Sequence, residues 1–265
     1  MPQRGATVEY RGVCKRYADG TVALDDLSLT VPAGAICALV GPSGGGKTTA
    51  LKCVNRLIEA TSGTVLIDGR DVRDGDVVAL RRRIGYVIQQ VGLFPHYTTA
   101  QNVATVPELL GWESGRVHAR VTELLDLVGL DPARYAARYP AQLSGGERQR
   151  VGVARALAAE PPVMLMDEPF AAVDPIVRER LQDEFLQIHD RIGMTVLFVT
   201  HDVDEAIKVG DRIALIRGGK LVQYGPPDEL LARPADAFVR EFVGLDRWRK
   251  RLDVLAAAGL LDRPR

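Results

Sequence analysis

Gly41-Pro42-Ser43-Gly44-Gly45-Gly46-Lys47-Thr48 fits the spacing G-x-x-x-x-G-K-[ST]. Glycines at this density let successive backbone N–H groups curl around an anion, and a helix opening at Lys47 adds its positive dipole end. Within that motif Lys47 would pair the β- and γ-phosphates of a nucleotide, and the Thr48 hydroxyl would ligate Mg²⁺. A second cluster is the acid pair Asp167-Glu168, which closes the apolar run Val163-Met164-Leu165-Met166. Ligands of open α/β sheets bind beyond the carboxyl ends of strands. Asp167 there suits Mg²⁺, and Glu168 suits the water that attacks a γ-phosphate. The same two acids would equally serve as a helix cap after a core strand.

Ser144-Gly145-Gly146-Glu147 reads first as a capping box, S-x-x-E ahead of a helix whose face is Val151, Ala154, Leu157 and Ala158. Its two glycines bare the backbone at the positive end of that helix and make a second anion site. A chain that already holds one lysine-bearing cradle finds a use for this site if it meets the γ-phosphate bound by a second copy of itself.

These groups need strands and helices to carry them. Ile36 to Val40 is a short apolar run feeding the glycines, and Leu51, Val54, Leu57 and Ile58 mark the apolar face of the helix that follows. Val8 to Gly12 and Val22 to Val31 alternate as strands around Asp19-Gly20, Thr64 to Ile67 with Asp68-Gly69 reads as a hairpin edge, and Ile84 to Ile88 is a further strand. From Thr99 to Gln142 the period becomes helical, with Val117, Val121, Leu124 and Leu125 on one face and Gly129 as a stop. Val163 to Met166 and Met194 to Val199 are continuous apolar runs of the kind buried on both faces of a parallel sheet. Between them Asp174-Pro175 makes an N-cap and N1 pair, opening a helix with Val177, Leu181, Phe185 and Ile188 on one stripe. Strands alternating with helices predict an α/β fold, interrupted by a helical insertion between Gln90 and Val163.

Leu143-Ser144-Gly145-Gly146-Glu147-Arg148-Gln149-Arg150-Val151 resembles the signature of the ATP-binding cassette (ABC) ATPases, and the other family motifs follow in order over residues 7 to 240. The resemblance implies a P-loop NTPase (RecA-like) core with an antiparallel β subdomain and an inserted α-helical subdomain. It places core and β subdomain at about 7–90 and 160–235, helical subdomain at about 91–159, and a tail at 241–265. It implies ATP with Mg²⁺, held by Gly41 to Thr48 and by Thr49. Tyr17 matches the aromatic that stacks on adenine, although a tyrosine beside a turn also suits simple packing. Gln89, fixed by the following Leu93-Phe94-Pro95-His96, matches the glutamine joining the Mg²⁺ and water site to a membrane partner; composition alone does not separate it from Gln90. Ala172-Val173-Asp174 resembles the loop that crosses to the other subunit, and His201 the switch histidine, where a capped or solvated strand end is the plain alternative. Two ATPs would then lie in a homodimer interface, each between one subunit's cradle and the other's Ser144, Gly145 and Gly146.

Composition narrows the class. Lys plus Arg count 34 and Asp plus Glu 34, a formal net charge of zero, which disfavours a protein that grips nucleic acid by its overall field. No apolar run approaches the roughly 18–20 residues of a membrane span, and Met1 to Gly5 lack the apolar stretch of a secretory signal. Cys14, Cys37 and Cys53 are widely spaced and read as small apolar residues of a reducing compartment. His96, His118 and His189 lack the spacing of a shared metal site. No Asn-Lys-x-Asp of a GTPase is present, and no sustained heptads separate cradle from signature.

The expectation is therefore a transporter's energising subunit, peripheral on the cytoplasmic face of the inner membrane, with separate permease subunits and, indirectly, a substrate-binding protein. Ile84 to His96, Asp174-Pro175-Ile176, Asp202 to Ala206 and Phe242-Val243-Gly244 look like the quaternary-amine branch (glycine betaine, carnitine, choline). Methionine, polyamine and polar amino-acid importers use similar cassettes, and a non-transport ABC ATPase is the wider alternative. Members of the branch often carry paired cystathionine-β-synthase-type (CBS) regulatory domains; a chain ending at Arg265 is expected to lack them. Arg247, Arg249, Lys250 and Arg251 beside Trp248 suit an anionic membrane surface or a solvated helical tail.

Overall fold

A computed structural model of the protein describes residues 5–89, 92–171 and 174–244. The chain opens with β1 (Val8–Arg16) and β2 (Val22–Val31), an antiparallel pair joined through Asp19-Gly20. Leu27, Leu29 and Val31 are buried while their neighbours face outward, the period-two pattern of a strand with one covered face. Next come β3 (Ile36–Val40), α1 (Lys47–Val54), the small hairpin β4 (Ser62–Ile67) and β5 (Arg70–Asp71), α2 (Val77–Arg82) and β6 (Ile84–Val87). The helical insertion follows as α3 (Thr99–Leu109), α4 (Ser114–Leu127), α5 (Pro132–Tyr135) and α6 (Gly145–Leu157). The chain then returns to β7 (Val163–Asp167), α7 (Pro175–Ile192), β8 (Thr195–Val199), α8 (Val203–Val209), β9 (Arg212–Arg217), β10 (Lys220–Gly225), α9 (Pro227–Ala232) and α10 (Ala237–Phe242).

Two sheets result. One is antiparallel, in the order β2-β1-β4-β5; the other runs β10-β9-β3-β8-β7-β6, parallel except for its β9–β10 edge. β3, β7 and β8 are buried at every residue, as continuous apolar strands with both faces covered must be. Their alternation sorts the core into two layers. Ile36, Ala38, Met164, Met166, Val196 and Phe198 pack with α3, α4, α6 and α7, while Cys37, Leu39, Val163, Leu165, Leu197 and Val199 pack with α1 and the antiparallel sheet. The two sheets are tied directly, with Tyr224 Oη donating to Thr30 O at 2.6 Å and Asp25 N to Gly219 O at 3.0 Å.

The architecture is the α/β core, antiparallel β sheet and inserted helices that the sequence predicts. Two apolar stripes end sooner than their periodicity suggests. α1 stops at Val54, and Leu57 beyond it is 49% exposed, because Leu57 N turns to Lys52 O in a terminal turn that swings its side chain outward. On α7 Leu181, Phe185 and Ile188 are buried but Val177, within the helix's first turn, is 42% exposed. Gln90, Ala172, Val173 and the basic run at 247–251 lie outside the described residues.

Candidate functional site

The cradle forms because β3 delivers the chain from a buried strand into a loop where side chains do not fit. Gly41 has φ 142°, and a Cβ there would run into the carbonyl oxygen of Ile216 on β9. Gly46 has φ 100° just ahead of α1, and a Cβ would strike Ala23 O. Both positions need glycine for conformation and for space. Lys47 begins α1, and its Nζ donates to Gly41 O and Pro42 O, both at 2.8 Å, so the ammonium is held inside the loop. Its burial lowers the Lys47 pKa, with the nearby Glu168 and Asp167 carboxylates pulling the other way. Pro42, Ser43 and Gly44 are exposed at the rim.

One helical turn brings Thr48 to the carboxylates. Its Oγ1 donates to Asp167 Oδ1 at 3.0 Å across the end of β7, and Lys52, a turn further on the same face, places Nζ 3.9 Å from Asp167 Oδ2. A hydroxyl and a carboxylate side by side are the hard oxygen donors that Mg²⁺ takes, so the residues present fit that ion. Glu168 sits at φ 49°, in the left-handed region, with its N–H donated to Val199 O at 3.0 Å. This bend turns the chain at the sheet edge, and α7 starts only at Pro175, so the acids do not cap that helix. Glu168 Oε2 accepts from Gln89 Nε2 at 2.8 Å, and Glu168 Oε1 lies 3.6 Å from His201 Nδ1. Three separate strand ends thus converge on one carboxylate: β6 through Gln89, β7 through Glu168 and β8 through His201.

Tyr17, 38% exposed beyond β1, joins the rim through its Oη, 3.4 Å from Thr49 Oγ1, with Lys15 Nζ 5.1 Å from the ring centroid. The Ser144 segment is built separately. Ser144 Oγ accepts from Glu147 N at 3.2 Å and Glu147 Oε2 accepts from Ser144 N at 2.7 Å, a complete capping box at the head of α6. Ser144 and Gly145 are exposed, and among the described contacts none links them to the cradle. Asp174 is exposed ahead of α7, its main-chain carbonyl accepting from Arg178 N at 2.8 Å.

Sequence reasoning missed three supports. Lys52 was legible as i+4 from Thr48 on one helix face. The ammonium of Lys15 under Tyr17 follows from their i, i+2 spacing on one side of an extended chain. Glu205, buried on α8 and accepting from Thr200 Oγ1 at 2.6 Å, carries no signal in the sequence that separates it from a surface helix acid. Among the described residues no group of three or more His, Cys, Asp or Glu could hold a metal; His189 is buried on Met194 O and His118 is exposed. Cys37 and Cys53 are buried free thiols, their pKa values pushed up to about 12 and about 11 by burial, so they pack as apolar groups.

The ABC transporter family profile matches residues 24–171 of the chain. "Osmoprotectant import ATP-binding protein OsmV" of Salmonella typhimurium strain LT2 is 55% identical over 240 residues, which is 91% of this chain and 63% of the relative. "Glycine betaine uptake system ATP-binding protein YehX" of Escherichia coli K12 is 48% identical over 245 residues, 92% of this chain and 79% of the relative. The chain therefore spans less than two thirds of the Salmonella relative's length. Among solved structures, the dimeric post-hydrolysis state of the ATP-binding cassette MJ0796 bound to ADP and Pi superposes with a TM-score of 0.74 at 34% identity, covering 83% of this chain and 98% of that one.

Proposed function

This chain belongs to the ABC transporter family, and from that premise we propose that it is the ATP-hydrolysing subunit of an importer for a quaternary-amine osmoprotectant of the betaine, carnitine or choline type. The observation that carries the hydrolytic part is the convergence of Gln89 and His201 on Glu168, next to a Thr48–Asp167 pair at the mouth of a lysine-bearing cradle. The names of the relatives support the solute class, and the dimeric neighbour supports pairing of two copies. The reading adopts an ATPase domain at 7–240, with core and β subdomain at about 7–90 and 160–235, helical subdomain at about 91–159, and a tail at 241–265.

In this reading Gly41 to Thr49 wrap the triphosphate, Lys47 exchanges its loop carbonyls for phosphate oxygens, and Tyr17 stacks on the base. Thr48, Asp167 and Gln89 would hold Mg²⁺, which when bound neutralises charge between the β- and γ-phosphates. Glu168 orients the attacking water and accepts its proton, while His201 donates a hydrogen bond to the γ-phosphate. Ser144, Gly145 and Gly146 supply the partner subunit's phosphate with donors that its own cradle lacks, and Asp174 follows them across the interface. Gln89 and the loop to His96 then report closure to transmembrane permease subunits, which take solute from a binding protein. The chain works peripherally on the cytoplasmic face of the membrane and has no nucleic-acid partner.

Ser144→Arg tests the arrangement. The variant should keep the ATP affinity of its own cradle and lose turnover, and mixed with Lys47→Ala protein it should leave one of two composite sites intact. Recovery of no activity in the mixture, with both variants folded, would reject action across the interface. Uptake of labelled betaine, set against methionine and spermidine, by the chain with its permease and binding protein tests the solute.

A further inference from the structure

Glu147 places an ionised carboxylate in the first turn of α6, at the helix end whose exposed Ser144 and Gly145 are proposed to receive a partner's γ-phosphate. A capping box needs only an acceptor at this position; an amide would serve as well. A carboxylate brings in addition a negative charge that repels an approaching phosphate. Both of its oxygens are engaged. Oε2 accepts from Ser144 N at 2.7 Å, and Oε1 accepts from the hydroxyl of Tyr135 at 2.6 Å. Tyr135 closes the short helix α5 and is held in turn by two guanidinium groups, Arg138 at 4.7 Å and Arg134 at 5.3 Å from its ring centroid.

We infer that Tyr135 is a positioning residue for hydrolysis: its hydroxyl ties the Glu147 carboxylate back toward α5, so that Ser144 meets the partner's phosphate without a competing anion. The electrostatics agree, since the Tyr135 hydroxyl, ahead of the Ser144 backbone, holds the Glu147 carboxyl down at about 2, so it is charged at every working pH. Ser144 Oγ meanwhile accepts from Glu147 N within the box, and among the described contacts its own proton is not donated, which leaves it for a phosphate oxygen. This role rests on the composite-site reading above.

The test is a double-mutant cycle on ATP turnover of the full chain. Tyr135→Phe keeps the ring and its arginine neighbours and removes only the hydroxyl. It should lower kcat about tenfold, the scale of a hydrogen bond to a charged group, while fluorescent-nucleotide titration shows ATP binding to its own cradle unchanged. In a Glu147→Gln background, where no charge has to be restrained, the same substitution should cost less than about twofold. Equal costs in both backgrounds, or a Tyr135→Phe chain that fails to fold, would overturn the assignment by making the hydroxyl merely structural. A non-additive cycle in protein that sedimentation shows to be monomeric with ATP would instead overturn the dimer while leaving the Tyr135–Glu147 coupling in place.

Discussion

Gln89 Nε2 donates to Glu168 Oε2 at 2.8 Å, joining a loop residue after β6 to the carboxylate that follows β7. Gln89 is exposed and precedes the aromatic group Phe94, His96 and Tyr97, whose rings lie within 6.2 Å of one another. His201 Nδ1 lies 3.6 Å from the other oxygen of the same carboxylate, so Glu168 is approached from two sides, from beyond β6 and from beyond β8.

Substituting Glu168→Gln keeps the size of the side chain and an acceptor for Gln89 but removes the basic oxygen. Turnover should fall by about 10²–10⁴-fold, the range for loss of a positioned general base, with ATP affinity retained. Sedimentation with ATP should show a lasting dimer. Normal hydrolysis by the variant would remove Glu168 from the base role.

Lys47→Ala should act earlier, on binding. The ammonium is pre-set in the loop by two carbonyls at 2.8 Å, so it reaches phosphate with little ordering to supply. Losing one charge-assisted contact of roughly 1.5–3 kcal/mol predicts an ATP Kd weakened by about 10–150-fold. Isothermal titration measures this directly, and an unchanged Kd would refute the cradle.

Much of this site is legible in the residues because its parts are local. Gly41 to Thr48 specify loop and helix start together, and the positive φ of Gly41 and Gly46 explains why glycine stands there. Ser144 and Glu147 likewise make their capping box within four residues. Long-range pairings leave weaker traces. Nothing in the sequence around Tyr135 announces a bond to Glu147, and nothing in Asp202-Val203-Asp204-Glu205 says that one acid of the three is buried. The stripes on α1 and α7 fail at Leu57 and Val177 for a related reason: period fixes which face a residue takes, while the neighbouring elements decide how far along the helix that face is covered.

Phe185 on α7 packs against the turn that follows Glu168. It is 3% exposed and meets Phe170 edge-on at 6.2 Å, and Phe170 lies two residues past Glu168 in the turn that bends the chain. Phe185→Ala should cost about 3–5 kcal/mol of stability by the loss of buried surface and the cavity left behind. Urea denaturation measures it. A loss below about 1 kcal/mol would mean that the contact is not part of the packed core.

Glu205 gives the chain a pH dependence of definite sign. The carboxyl is 6% exposed, Thr200 Oγ1 donates to its Oε2 at 2.6 Å, and its Oε1 has no hydrogen-bond partner among the described residues. Burial, partly offset by the Thr200 hydrogen bond, pushes its pKa up from 4.5 to about 7; Asp202 raises it further, and Arg178 and His201 pull it down. A folded-state pKa above the unfolded one means that the native state binds the proton more tightly. The stabilisation is then fully present below pH 4.5 and is lost as pH rises through about 7. The full span is about 3 kcal/mol, at 1.36 kcal/mol per pKa unit. Glu205→Gln keeps an acceptor for Thr200 without a proton to lose. Denaturant curves between pH 5 and 8 should therefore fall with pH more steeply for the parent than for the variant. Parallel pH profiles for the two proteins would show that Glu205 is ionised in the native state across that range.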